Sequence, residues 1–370
     1  MRVVMFYHSL VSDWNHGNAH FLRGIATALL DRGDQVRILE PQDGWSRAHL
    51  LADQGPAAIE AFHRAYPRLQ SETYQLETLD LDAVLEPADL VIVHEWNVHE
   101  LVARIGEHHA AHPCYALLFH DTHHRSVTDA AAMAAYDLRH FDGVLAFGDC
   151  IRDRYLEHRW IANAWTWHEA ADTRLFRPQP SSGEPDGDIV WIGNWGDDER
   201  SAELEEFLIG PVRALGVRAT VYGVRYPDDV RRRLADDGIA YGGWLPNYRT
   251  PDVFARHTVT VHIPRRPYLE QLPGVPTIRP FEALACGIPL VAARWDRTAD
   301  LFTPGEDYLV ARDGAEMTAH LDRLLADQAR RLALAAHGRE TILARHTCEH
   351  RVGELYDICD QLTARLMERP

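Results

Sequence analysis

Residues 264–291 read PRRPYLEQLPGVPTIRPFEALACGIPLV. The stretch opens where an apolar strand at residues 258–263 ends, and closes as another begins at residue 289. Between them lie a loop rich in Gly and Pro and a short helical segment whose one acid is Glu282. A strand, a Gly-bearing turn and a helix N-terminus make an anion site. The first-turn N–H groups have no partner within the helix, and the dipole favours negative charge there. Arg265, Arg266 and Arg279 add positive charge beside it, and Glu282 follows Arg279 by three residues. A phosphate at the N–H groups with a hydroxyl-rich group at Glu282 describes a nucleotide sugar.

The rest of the chain frames that expectation. A chain of 370 residues exceeds one ordinary core, so two domains are expected. Hydrophobic residues make up 46% and charged residues 25%, as in soluble globular proteins. No apolar run approaches the roughly 18 residues that cross a bilayer. The start, MRVVMFYHSLVSDW, reads into a strand and loop rather than a signal peptide, so a cytoplasmic protein without an integral membrane segment is expected. Five cysteines without a CxxC pair read as reduced thiols. A net charge of −17 argues against nucleic-acid binding. All 38 basic residues are Arg, which excludes a Walker A lysine and a Schiff-base lysine. Phosphate must then be held by Arg, His, hydroxyls or backbone N–H.

Taken in order, residues 3–8 form an apolar run suited to a buried parallel strand. A loop with Gly17 and Asn18 follows, then a helix ending at Gly33 and a strand at 35–39. This strand–loop–helix–strand unit is of the doubly wound kind, without GxGxxG. Gly17 and Asn18 either bring backbone N–H groups to a ligand or belong to an ordinary loop. Residues 45–76 read as irregular helix. Strands follow at 89–94, 114–119 and 143–147. After the first come Glu95, Trp96 and Asn97; after the second, His120, Asp121, Thr122, His123, His124 and Arg125. Polar residues at the C-terminal ends of buried strands lie where open α/β sheets bind ligands.

Residues 170–188, rich in Pro, Gly, Ser and Asp, read as the linker. A second series follows: strands at 189–192, 219–222, 239–243, 258–263 and 289–292, a helix at 197–209 after the loop 193–196, and an amphipathic helix at 315–325. Helical sequence runs from 330 almost to 365, broken near His346 and Thr347.

FEALACGIPLV, residues 281–291, resembles the C-terminal signature of GT-B glycosyltransferases, especially the family 4-type group. WIGNWGDDERSAEL (191–204), YGGWLPN (241–247) and HIPRRPY (262–268) resemble CgeB-like, spore-maturation-type glycosyltransferases. The resemblance implies an α/β protein with two Rossmann-like, doubly wound parallel-sheet domains facing each other across a cleft. Residues 1–168 would bind the acceptor, 169–346 the nucleotide sugar, and the helix at 347–370 would cross back to the first domain. Glu282 would contact the donor ribose, and Thr277, Ile278 and Arg279 the diphosphate. Gly193, Asn194 and Trp195 would approach phosphates or sugar. Arg200, Arg225, Trp244, Arg265 and Arg266 complete the donor side. Family 4-type enzymes often carry another Glu eight residues before the one matching Glu282. Here that position is Gly274, whose backbone N–H would take over the contact.

The expected reaction moves a sugar from a nucleoside-diphosphate sugar to a small-molecule, glycan or protein acceptor. UDP-sugar is the first choice, with GDP- and dTDP-sugars as alternatives. It uses no cofactor and no metal, and retains configuration. His120 and Asp121 are the catalytic candidates; Gly17, Asn18, Trp96 and His123 line the acceptor side. Two rivals share the architecture: a non-hydrolysing nucleotide-sugar epimerase, and a silent sugar-nucleotide-binding or spore-coat scaffold. A homodimer is left open. Each site also has a plainer reading: Glu282 as a helix-end charge, Arg265 and Arg266 as ion-pair partners of nearby acids, His120, His123 and His124 as loop histidines, and most Trp as core.

Overall fold

The computed structural model describes residues 1–180, 186–295 and 301–367; residues 181–185 of the expected linker lie outside the described residues. The chain divides into two compact units. One comprises Met1–Glu169 and the chain from Cys348; the other is Ala170–Thr347.

The first unit holds a parallel sheet of seven strands: β1 (Arg2–Phe6), β2 (Gln35–Pro41), β3 (Glu72–Tyr74), β4 (Leu90–His94), β5 (Ala116–Asp121), β6 (Gly143–Ala146) and β7 (Ala164–Thr166). Their order is β3-β2-β1-β4-β5-β6-β7. The chain moves outward one way from β1 and the other way from β4, so the order reverses between those two. There, loops from neighbouring strands diverge and leave room for a ligand. The strands form because their apolar runs are buried on both faces; all of β4 is buried. Helix Ala19–Arg32 links β1 to β2, and Gly33 ends it at φ 95°, a left-handed backbone that a Cβ would strain. The helix Cys348–Met367 belongs to this unit. Its Tyr356 hydroxyl donates to Asp34 over 2.5 Å, and the Arg32 guanidinium lies 3.9 Å from the Tyr356 ring.

The second unit holds a parallel six-stranded sheet: β8 (Gly187–Ile192), β9 (Ala219–Tyr222), β10 (Ile239–Tyr241), β11 (His257–His262), β12 (Leu290–Ala293) and β13 (Leu309–Ala311). The order β10-β9-β8-β11-β12-β13 repeats the first pattern, with its reversal between β8 and β11. The core is apolar residues of these strands and their flanking helices, among them Val259, Val261, Leu321 and Leu324.

Three expectations change in detail. Residues 45–76 are not one irregular helix. Two helices, Trp45–Gln54 and Ala57–Ala65, break at Gly55 and Pro56, and β3 follows. The expected helix at 197–209 is interrupted: its wide π-helical turn, Glu205–Ile209, precedes Pro211, whose ring would clash with the carbonyl of a regular α-turn. The strand expected at 114–119 lies two residues later. His120 and Asp121 are therefore the last residues of β5, paired in register with β4 and β6, rather than loop residues.

Candidate functional site

The reversal point of the second sheet brings together the loops that leave β8 and β11. The loop after β8 is stitched to the chain after β9. Gly193 N–H donates to the Tyr222 carbonyl over 2.8 Å. The Tyr226 hydroxyl donates to the Gly193 carbonyl over 3.0 Å, and the Asn194 side-chain oxygen accepts from Val224 N–H over 2.9 Å. The approach is so close that a Cβ on Gly223 would lie 2.1 Å from the Gly193 carbonyl oxygen. Gly193 and Asn194 thus fix the loop. Trp195, expected to offer a face to the donor, is instead buried against Tyr226, with ring centroids 5.7 Å apart. The indole is large enough that core packing claims it first.

Gly196 then turns the chain at φ 82° into Arg200. Arg200 donates to the carbonyls of Asn194 over 2.8 Å and Ile263 over 3.1 Å, and its guanidinium lies 5.2 Å from the Trp191 ring. Its Nε has no partner, and among the described residues no carboxylate pairs with it. Burial, with Arg265 nearby, pushes its pKa down to about 9. A guanidinium whose hydrogen bonds go to carbonyls rather than to a carboxylate would gain from an anion beside it.

Arg265 and Arg266 follow their plainer reading. Arg265 donates to Glu199 over 2.6 Å and Arg266 to Glu203 over 2.9 Å. Partly buried acids satisfy these arginines. Arg225 sits at φ 64°, and Trp244 is half-buried. Gly274 has φ 80°, so a Glu there would be strained, which gives a local reason for the glycine.

Helix Ile278–Cys286 begins after Thr277, whose side chain makes no cap. The Thr277 hydroxyl instead meets His262 Nε2 at 3.1 Å. The first-turn N–H groups are therefore left without a side-chain cap. Burial holds His262 neutral, with its pKa near 3. Glu282 is fully buried one turn on. One oxygen accepts from Asn247 Nδ2 over 2.5 Å and the other pairs with Arg279. Asn247 escaped sequence reading, although it lies within the YGGWLPN stretch.

In the first unit, a polar cluster fills the C-terminal ends of β1, β4 and β5. His120 is buried, its Nδ1 2.6 Å from the Tyr7 hydroxyl; its Nε2 has no partner. The His94 ring stacks on Tyr7 at 4.7 Å, and its Nε2 meets Thr122 at 2.9 Å. Asp121 accepts from the Tyr155 hydroxyl over 3.0 Å and from His123 N–H over 3.1 Å. Burial pushes Asp121 up to about 6 and His120 down to about 3. Burial and the adjacent Asp121 raise Glu95 well above the usual carboxylate range. The sequence places Glu95 among the polar residues after a buried strand without giving it a role; its signal is that position. Trp96 remains 43% exposed, with Arg125 4.8 Å from its ring and His123 at 5.3 Å. Gly17 is exposed, whereas Asn18 is buried and donates to Glu169 over 2.8 Å.

Residues 200–357 match a family described as glycosyl transferase-like. No curated protein matches the chain in sequence. Solved structures match in fold. Sucrose-phosphate synthase from Thermosynechococcus elongatus is 17% identical with a TM-score of 0.65, covering 99% of this chain and 100% of that one. Anabaena HepE, in complex with UDP and glucose, is 14% identical with a TM-score of 0.66, covering 98% and 100%. An alpha-glucosyltransferase in complex with UDP and a 13-mer DNA is 13% identical with a TM-score of 0.68, covering 97% and 99%. Two parallel-sheet α/β units of this order, matched over nearly the whole chain, are the GT-B fold of glycosyltransferases.

Proposed function

We propose that this chain is a glycosyltransferase that takes its sugar from a nucleoside-diphosphate donor, a UDP-sugar first among them. The observation that carries this reading is Arg200, a half-buried guanidinium with no paired carboxylate among the described residues, beside the reversal point of the second sheet. Together with the uncapped N-terminus of Ile278–Cys286, it offers the positive charge that a departing diphosphate needs. Glu282 stands one turn along that helix, and a carboxylate is the acceptor that ribose hydroxyls call for. HepE holds UDP and glucose, and the DNA alpha-glucosyltransferase holds UDP, which supports a uridine donor.

Transfer proceeds without a metal in this reading, because fixed cations replace one at the diphosphate. It retains configuration in this reading, with the leaving diphosphate taking the acceptor proton. The acceptor, a small molecule, glycan or protein, meets the first unit at Trp96 and His123, which border the His94–His120 cluster.

Calorimetry with UDP, GDP and dTDP, followed by donor turnover with each sugar in the presence of EDTA, tests the reading. Nucleotide binding with release of free sugar or a glycoside supports it. An isomerised donor would favour an epimerase, and binding without any turnover a scaffold. Nuclear magnetic resonance of the product reports the anomeric configuration.

A further inference from the structure

Helix His99–Ala111 leaves the C-terminal end of β4 and runs back to where β5 begins. Its last turn therefore lies at the opposite edge of the sheet from the His94–His120 cluster. His108 and His112, four residues apart, share one face there. The helix Leu81–Leu85, which precedes β4, brings Asp82 to the same place. His108 Nε2 lies 3.2 Å from Asp82 Oδ1, and the His108 and His112 rings are 4.8 Å apart. One ligand atom from each of the three lies within 4.8 Å of the others.

We propose that Asp82, His108 and His112 bind a divalent transition-metal ion of the zinc class. Zinc bonds of roughly 2.0–2.2 Å in a tetrahedron set ligand atoms about 3.3–3.5 Å apart. Asp82 and His108 already stand close to that spacing, and His112, exposed at the helix end, closes it by rotation. The other nitrogen of His108 meets the Tyr115 hydroxyl at 2.9 Å, the outer contact that orients a ligating imidazole. The ion would tie the short helix before β4 to the end of the helix after it, away from any transfer chemistry.

The test uses the full chain stripped by chelator, with Zn²⁺ alone as the probe and Co²⁺ as its spectroscopic substitute. The expected result is one ion per chain, a strong visible band of tetrahedral Co²⁺, and a higher melting temperature with Zn²⁺. His112→Ala and Asp82→Asn, both at exposed positions, should each weaken binding at least tenfold and abolish the thermal shift. Absence of stoichiometric binding overturns the proposal. So does undiminished binding in either variant, which would place the ion elsewhere.

Discussion

The guanidinium of Arg200 donates to the carbonyl oxygen of Asn194 over 2.8 Å, and among the described residues no carboxylate pairs with it, whereas Arg265, Arg266 and Arg279 each have one. Arg265 pairs with Glu199, Arg266 with Glu203 and Arg279 with Glu282. Among the described residues Arg200 is left with carbonyls as its hydrogen-bond partners.

Arg200→Met is therefore expected to separate binding from stability. Charge-assisted hydrogen bonds contribute about 1.5–3 kcal/mol, so UDP affinity should fall roughly 10- to 100-fold. Arg200 is half-buried and has no salt-bridge partner among the described residues, so an apolar side chain there should cost little and the urea midpoint should hold or rise. Calorimetry and denaturation together read both. Unchanged UDP affinity would remove Arg200 from the donor site.

Glu282 should behave in the opposite way. It is fully buried and answers both Asn247 and Arg279. Glu282→Ala leaves Arg279 without its acid and opens a gap, at a cost of about 3–5 kcal/mol. Glu282→Gln keeps the shape and is expected to lose less stability while still weakening nucleotide binding. If the alanine variant unfolds at the wild-type urea midpoint, the buried-pair assignment fails.

His120 sits in the other unit, bonded to the Tyr7 hydroxyl at 2.6 Å. His120→Gln keeps a polar group of similar reach. Its expected signature is UDP affinity within about twofold of wild type and transfer reduced by at least tenfold, within the range of a lost polar contact to a reacting sugar. Wild-type turnover in this variant would exclude His120 from the reaction.

Acid should destabilise the protein. Burial lowers His8 and His168 to about 4, and His120 and His262 to about 3. Each has a folded pKa below its unfolded value near 6.5. The unfolded chain thus binds the extra proton first as pH falls. Their contribution is complete above pH 6.5 and is lost towards pH 3–4. Asp121, raised to about 6, and Glu95, also raised, work against this, since they take up protons more readily when folded. The histidines are more numerous, so the melting temperature should drop from pH 7 to pH 4.5. A flat or rising profile would show that the two carboxyls dominate.

Parts of this site were open to sequence reading for identifiable reasons. Residues 281–291 showed a helix that stops at a glycine before an apolar strand, and Gly287 does end that helix at φ 68°. Gly33 was legible in the same way. Arg265 and Arg266 were not, because one string cannot say which acid a side chain meets, and their partners lie 66 and 63 positions away. Trp195 misled for a related reason: a loop position does not reveal that an indole folds back into the core. Glu95 was placed after its strand but given no role, because its environment comes from Thr122 and Arg125 rather than from its neighbours in the chain.

By itself the sequence determined the two series of parallel strands. Apolar runs, glycine stops and proline breaks are local, and each acts within a few residues. Only tertiary structure decided which charges remain. Strand order brings the loops after β8 and β11 together, so that Arg200 faces carbonyls while its neighbours find carboxylates. Residues 264–291 mark where an anion belongs. The charge left to hold it comes from a residue 64 positions before the stretch begins, because electrostatics depend on distance in space and not along the chain.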